Sequence, residues 1–204
     1  YLNQNPDVKK AGVNPLIHYI KHGIKEGRSP TYTTIAGSDC AIRIDIVVPV
    51  YNALDDVKNC LFSLREKQDG YAVKIIVVND GSDEETTGWL REYCHEDSIF
   101  ELHEHPVNRG YTQAVNTGLR VSDAPYVITQ NSDTIATHGW LRGLVRCINS
   151  SDKIGIAGPL SNAASWQNVP RLYDENRNFA VNDIPNKLKP DEMASLVAKA
   201  SKRY

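Results

Sequence analysis

Three segments of this chain share one pattern: a run of β-branched residues that stops in a polar, turn-forming tip. They are Ile44 to Asn52 (IDIVVPVYN), Lys74 to Asp83 (KIIVVNDGSD) and Tyr126 to Thr134 (YVITQNSDT). The second, KIIVV, is nearly all apolar, as expected of a strand covered on both faces. Between the three segments the spacing turns helical. Val57, Cys60, Leu61 and Leu64 mark one helix, with Asp55 or Asp56 as its cap, and Trp89, Leu90, Tyr93 and Cys94 mark the next. Ile99 to His103 reads as a weaker strand, Gly110 to Ser122 as a helix, and Trp140, Leu141, Leu144, Val145 and Ile148 as a further one. A strand is predicted at Ile154 to Ala157, and a helix from Asp191 to Tyr204 behind Pro190. The alternation predicts an α/β class with a mostly parallel sheet flanked by helices. In such sheets ligands bind beyond the carboxyl ends of the strands. The three polar tips therefore predict one site assembled from three loops.

Residues 1–30 have a different character. Asn14-Pro15 is a helix start, Leu16, Ile17, Tyr19 and Ile20 follow, and Gly23 is placed to end the helix. The predicted organisation is a small helical module at 1–30, a linker at 31–43 and the main domain at 44–204. The module is too short to bury its own core, so it reads as a cover for the main domain or as an interaction element.

Composition narrows the class. The 204 residues are 41% hydrophobic with a net charge of −2, enough for a core and without the basic excess that nucleic acid or an anionic membrane would require. No apolar stretch is long enough for a transmembrane segment, and no signal peptide is visible. Cys40, Cys60, Cys94 and Cys147 lie far apart. The last three sit in apolar helical settings and read as small buried hydrophobes. The expected location is cytoplasmic, with peripheral attachment at the inner membrane face as its variant.

The tips carry the chemistry. Asp133 follows Asn131-Ser132, and a lone carboxylate beside amide and hydroxyl groups suits Mg²⁺ or Mn²⁺, which take oxygen ligands and complete their shells with water and phosphate. The same aspartate could instead cap a helix or shape a turn. Asp80 and Asp83 flank Gly81-Ser82, an ordinary turn sequence and also a place where a ribose hydroxyl or base N–H is accepted. Tyr51-Asn52 offers a ring and an amide to a nucleobase, or simply packs. Asn108-Arg109-Gly110 opens a helix, where backbone amides and a guanidinium attract phosphate. His103 and His105 face the same way on a strand but lack an evident third zinc ligand. His18 and His22 read as surface residues. GxGxxG, GxxxxGK[ST] and GxSxG loops do not occur, which argues against a nicotinamide dehydrogenase, a P-loop NTPase and a serine hydrolase.

Taken in order, IDIVVPVYN, VVNDGSDEET, NRGYTQAVNTGL and TQNSDT resemble the inverting family 2 glycosyltransferases of the GT-A fold, over about residues 44–160. The resemblance implies a Rossmann-like GT-A domain that binds a nucleoside-diphosphate sugar such as a UDP-sugar. Val50, Tyr51, Asn52, Asp80, Gly81, Ser82 and Asp83 would lie at the nucleotide, Arg109 and Gly110 near diphosphate, with Asn116, Asn131 and Ser132 lining the same site. Asp133 would hold Mg²⁺ or Mn²⁺. Asn131-Ser132-Asp133 stands where the family has DxD, so the first aspartate is replaced. The implied acceptor is a glycan or lipid-linked saccharide. Gly158 to Pro170 (GPLSNAASWQNVP) and the leading NPDV segment are similar to modules of bacterial surface-polysaccharide transferases. The family's acidic base lies near a Glu-Asp pair. Glu84-Glu85 and Asp191-Glu192 are in the wrong context, so the base is expected beyond Tyr204 and this chain is expected to be a donor-binding portion. The rival readings are a non-catalytic nucleotide-sugar-binding or scaffold module and a sugar-phosphate nucleotidyltransferase.

Overall fold

The computed structural model describes residues 6–11, 22, 26, 42–168, 171–185 and 188–200. The chain divides into two compact units, residues 1–41 and 42–204. In the first unit the described helix is α1 (Pro6–Lys10). The helix expected from Asn14, His18, the linker up to residue 41 with Cys40, and the end of the tail at 201–204 lie outside the described residues.

The second unit runs β1 (Arg43–Val50), α2 (Leu54–Glu66), β2 (Ala72–Asp80), α3 (Glu84–Glu96), β3 (Phe100–His105), α4 (Tyr111–Val121), β4 (Tyr126–Thr129), α5 (Trp140–Ile148) and α6 (Pro190–Ala200). The four strands form one sheet of order β3-β2-β1-β4, and every pairing is parallel. The expected α/β class with a parallel sheet and flanking helices is what forms. The two longest apolar runs take the two central positions: the last seven residues of β1 and the last six of β2 are buried.

Parallel register puts partnered residues on one face. Ile44, Ile46, Val48 and Val50 join Ile75 and Val77 in the larger core, covered by Val57, Leu61 and Leu64 of α2, Leu90 and Tyr93 of α3, and Leu141 and Val145 of α5. Each such side chain contributes about 1.5–3 kcal/mol through burial. The alternate residues Val47, Ile76 and Val78 meet Ala114 of α4 in a smaller core. There α4 approaches very closely: a Cβ added at Gly118 would lie 2.3 Å from Val47 Cγ1.

Four expectations need correction. Ile154 to Ala157 forms no strand, and Ile156 is 91% exposed. No named strand pairs with this segment, and a strand without a ladder leaves its amides unsatisfied. Neither Asp55 nor Asp56 caps α2. Left-handed Ala53 occupies the cap position without a side-chain bond, and the two aspartates lie in the first turn, where the helix dipole favours them. Cys147 is exposed, unlike Cys60 and Cys94, because its side of α5 turns away from the core. The weaker strand is displaced toward its carboxyl end, to Phe100–His105.

The packing at Gly118 yields a direct test. Overpacking in Gly118→Ala should cost about 1–3 kcal/mol against the roughly 1 kcal/mol that alanine gains in a helix, a net loss of up to about 2 kcal/mol. Chemical denaturation measures this, and adding Val47→Ala should recover part of the loss. A Gly118→Ala protein as stable as the parent would show that the contact is soft.

Candidate functional site

Strand order locates the site. The chain steps from β1 outward to β2 and β3, then crosses back to place β4 on the other side of β1. The reversal between β1 and β4 is the topological switch point, where open α/β sheets bind ligands beyond their carboxyl ends. The loops leaving β1 (Tyr51-Asn52-Ala53) and β4 (Gln130 to Thr134) flank it.

Hydrogen bonds lock the β1 and β2 loops together. Asn52 N donates to Ser82 Oγ at 2.9 Å, and Asn52 Oδ1 accepts from Asp83 N at 2.9 Å. Ser82 N donates to Asn79 Oδ1 at 3.1 Å, while Asn79 Nδ2 donates to Thr87 Oγ1 at 2.9 Å. Asn52 and Ala53 both adopt left-handed backbone, with φ of 56° and 55°, a conformation tolerated at a tight turn when neighbours over-determine it. Asp83 is the cap of α3: its Oδ1 accepts from Thr86 N at 2.8 Å, and that bond holds its carboxyl below the usual range.

The β3–α4 loop is joined to the same net through Asp80. This carboxylate is 2% exposed. Its Oδ1 accepts from His105 Nδ1 at 2.6 Å and from Arg109 N at 3.0 Å, and its Oδ2 accepts from Gly110 N at 2.8 Å. The pairing of Asp80 with His105 across β2 and β3 puts both side chains on one face, and His105 Nε2 meets Thr117 Oγ1 of α4 at 2.9 Å. Burial works against ionisation of Asp80, but the His105 bond and the Arg109 and Gly110 amides outweigh it and hold its pKa below the ordinary 3.8. Gly81 completes the junction. It has φ of 71°, and a Cβ there would fall 2.5 Å from Asn108 N and from Val107 C.

The β4 loop is held differently, from α2. Cys60 Sγ donates to Asn131 O at 3.5 Å, Thr134 Oγ1 donates to Asn131 O at 2.7 Å, and Ala136 N donates to Ser63 Oγ at 2.9 Å. Burial, partly offset by Thr134, pushes the Cys60 thiol up to about 12, so it serves as a neutral packing and bonding group. Asp133 is exposed. No described residue forms a hydrogen bond or ion pair with its carboxylate.

The expected residues therefore divide by role. Asn52, Asp80, Gly81, Ser82, Asp83, Arg109 and Gly110 are brought into one net. Asp80 and the Asn52 amide oxygen are fully engaged inside it, and so are the Arg109 and Gly110 backbone amides. What this net leaves facing outward is the Tyr51 ring, 53% exposed, the Arg109 side chain, and the amides of Tyr111 and Thr112 at the start of α4, for which no described group is an acceptor. Val50 turns its side chain into the core, and Asn116 is half-buried on α4. Asn131, Ser132 and Asp133 share the rim but make no bond to the Asp80 net among the described residues. His103 pairs with Glu101 at 2.8 Å, and no group of three metal-ligating side chains occurs among the described residues. A shallow depression of about 320 Å³ opens beside Ala53. Asp55, Asp56 and Glu85 line it beside one cation, Lys58, and this excess of carboxylates disfavours a diphosphate there. Sequence reasoning missed His105 as the partner of Asp80, a pairing visible only once the β2–β3 register is known.

Asp80 links the site to stability. Its native pKa is depressed, so its ionised form stabilises the fold above the unfolded value of 3.8 and that contribution fades as pH falls through the native value. Equilibrium denaturation between pH 7 and 2 should show an acid limb in the parent that Asp80→Asn flattens by about one proton's worth of slope. Superimposable limbs would contradict the assignment.

The model for the family described as "Glycosyl transferase family 2" matches residues 45–194. An uncharacterized glycosyltransferase of Haemophilus influenzae is 27% identical over 115 residues, 56% of this chain and 35% of its own. The dolichyl-phosphate beta-glucosyltransferase ALG5A of Trichomonas vaginalis is 30% identical over 112 residues, 52% of this chain and 34% of its own. The match thus spans about a third of the length of these relatives. Among solved structures, the mannosyltransferase PcManGT from Pyrobaculum calidifontis, in complex with GDP-Man and Mn²⁺, aligns with a TM-score of 0.48 at 22% identity, over 74% of this chain and 42% of that one. The family match covers most of the sequence, including every loop of the rim, and this chain belongs to glycosyl transferase family 2.

Proposed function

We propose that this chain is the donor-binding part of an inverting hexosyltransferase that takes a nucleoside-diphosphate sugar, of the UDP type or a related base, and serves surface-polysaccharide assembly at the cytoplasmic side of a bacterial membrane. The observation that carries the reading is the convergence of the β1, β2 and β3 loops in one hydrogen-bond net beside the switch point, with the β4 loop on its other flank. The net is internally satisfied, so its outward groups are held in place without needing a ligand. Tyr51 offers a ring face to the nucleobase. The Arg109 guanidinium and the Tyr111 and Thr112 amides face the diphosphate, whose charge the amino end of α4 favours.

Mg²⁺ or Mn²⁺ fits at Asp133, an exposed carboxylate that no described side chain has claimed. One or two carboxylates are all that Mg²⁺ ordinarily takes from protein. Such an ion, when bound, neutralises charge on a departing diphosphate. In single displacement the acceptor hydroxyl bonds to the anomeric carbon as the bond to the phosphate oxygen breaks, and a carboxylate base takes the hydroxyl proton. That base is expected outside the described residues. The proposed acceptor is a glycan or lipid-linked saccharide, in keeping with the family match.

A second reading is a scaffold that has lost donor binding. It draws on Asn131, which stands where a first metal-binding carboxylate would be expected, and on the commitment of the Arg109 and Gly110 amides to Asp80. Calorimetric titration of UDP, GDP and dTDP separates the two. One nucleotide should bind in the presence of Mn²⁺, and Asp133→Ala should weaken it by about tenfold or more, a loss of roughly 1.4 kcal/mol, while its thermal midpoint stays unchanged. Silence with all three nucleotides in Mn²⁺ supports the scaffold.

A further inference from the structure

A loop after α5 has an inside-out construction that the donor site does not use. Between residues 158 and 182, short bridges pair Ser161 with Asn168, Ala163 with Val181 and Tyr173 with Phe179. Among the described residues of this loop, two of the three buried ones are polar, Ala180 being the third. Asn168 and Asn182 are both buried. Asn168 Nδ2 donates to Ala180 O at 2.6 Å, and its Oδ1 accepts from Ala164 N. Asn182 Nδ2 donates to Asn162 O at 3.1 Å and Arg171 O at 2.9 Å, while its Oδ1 accepts from Arg171 N at 3.2 Å.

The exterior is aromatic. Trp166, Tyr173 and Phe179 are 74%, 43% and 42% exposed. Even so, they form an ordered group. Tyr173 and Phe179 stack with centroids 5.4 Å apart and planes at 23°, and Trp166 stands edge-on to both, at 6.3 Å and 85° from Tyr173 and at 5.6 Å and 76° from Phe179. Burying amides while presenting rings to water reverses the usual preference of side chains. A contiguous apolar patch with a polar rim, Asn176, Arg177 and Asn178 on the turn between Tyr173 and Phe179, marks a binding surface.

Charge and shape identify the occupant. The charged residues from 158 to 182 are Arg171, Arg177, Asp174 and Glu175, two of each sign, so the loop is neutral. It lacks the basic excess that phosphate or nucleic acid requires. Ring faces carry the negative side of the aromatic quadrupole and attract C–H-rich surfaces, while the amide rim serves hydroxyls. A neutral pyranose has both features. We propose that Trp166, Tyr173 and Phe179 form a stacking site for a neutral oligosaccharide. Its identity as the glycan acceptor rests on the transferase reading above, whereas the stacking site itself does not.

The test uses the full chain and neutral hexasaccharides of glucose, mannose and N-acetylglucosamine as probes, read by calorimetry and by acrylamide quenching of tryptophan. At least one probe should bind and shield Trp166 from quencher, and Trp166→Ala and Tyr173→Ala should each weaken it about tenfold or more with circular dichroism unchanged. No binding by the parent chain, or equal binding by Trp166→Ala, overturns the proposal. So does self-association in sedimentation that Trp166→Ala abolishes, since the occupant is then a second copy. UDP, GDP and dTDP titrated with Mn²⁺ into the same samples keep the two readings apart. Nucleotide binding without saccharide binding defeats the platform alone, and saccharide binding without nucleotide binding supports it while defeating the donor reading.

Discussion

One buried carboxylate joins the β2 tip to the β3–α4 loop at the rim. Asp80 ends β2, receives the imidazole of His105 from the end of β3, and accepts both amides that lead into α4. A buried charge is tolerated only when it is paired and hydrogen-bonded, so these three donors are mutually required. They fix the entry of α4 against the sheet at the point where Gly81 lets two loop backbones touch. Remove the carboxylate, and nothing else named here ties the β3–α4 loop to the β2 tip by charge.

The rim thus separates support from contact. Asn52, Asn79, Ser82 and the Asp83 amide bond one another, the Asp83 carboxylate caps α3, Asp80 is spent on His105 and the entry of α4, and Cys60 and Ser63 anchor the β4 loop from below. Tyr51, Arg109 and Asp133 stay exposed. Precise placement of reacting partners depends on this kind of supporting layer, because a small misplacement costs much of the rate. Aspartates that look like ligands in the chain can therefore act one step back, by holding the residues that stay exposed at the rim.

Much of the fold was legible because the signals were local and redundant. The β1 and β2 runs are mostly apolar, with Asp45 and Lys74 as breaks, and read as central strands, and the helical faces of α2 and α3 repeat at the right interval. Legibility failed where partners decide. Ile154 to Ala157 has strand-like composition but no neighbouring ladder. The cap of α2 is set by backbone that Asn52 and Ala53 adopt under tertiary bonds, so neither nearby aspartate is used. At the site, motif order located the loops, and residue type alone could not divide support from contact. Asp80 and Asp83 look equivalent in NDGSD, yet one is buried beneath the rim and the other caps α3. The aromatic group at Trp166 was invisible, because its rings lie up to thirteen residues apart and meet only through the Tyr173–Phe179 bridge.

The central claim is that the loops after all four strands face one ligand at the switch point. Paramagnetic broadening of backbone amide signals by Mn²⁺ in the presence of UDP, GDP or dTDP tests this most directly. The account predicts selective loss of signals from Asn131 to Thr134, with the Tyr51–Asn52, Gly81–Asp83 and Arg109–Thr112 amides broadened next, and no effect at the opposite end of the sheet near Arg43 and Ala72. Broadening centred elsewhere, or spread evenly along the chain, would contradict it.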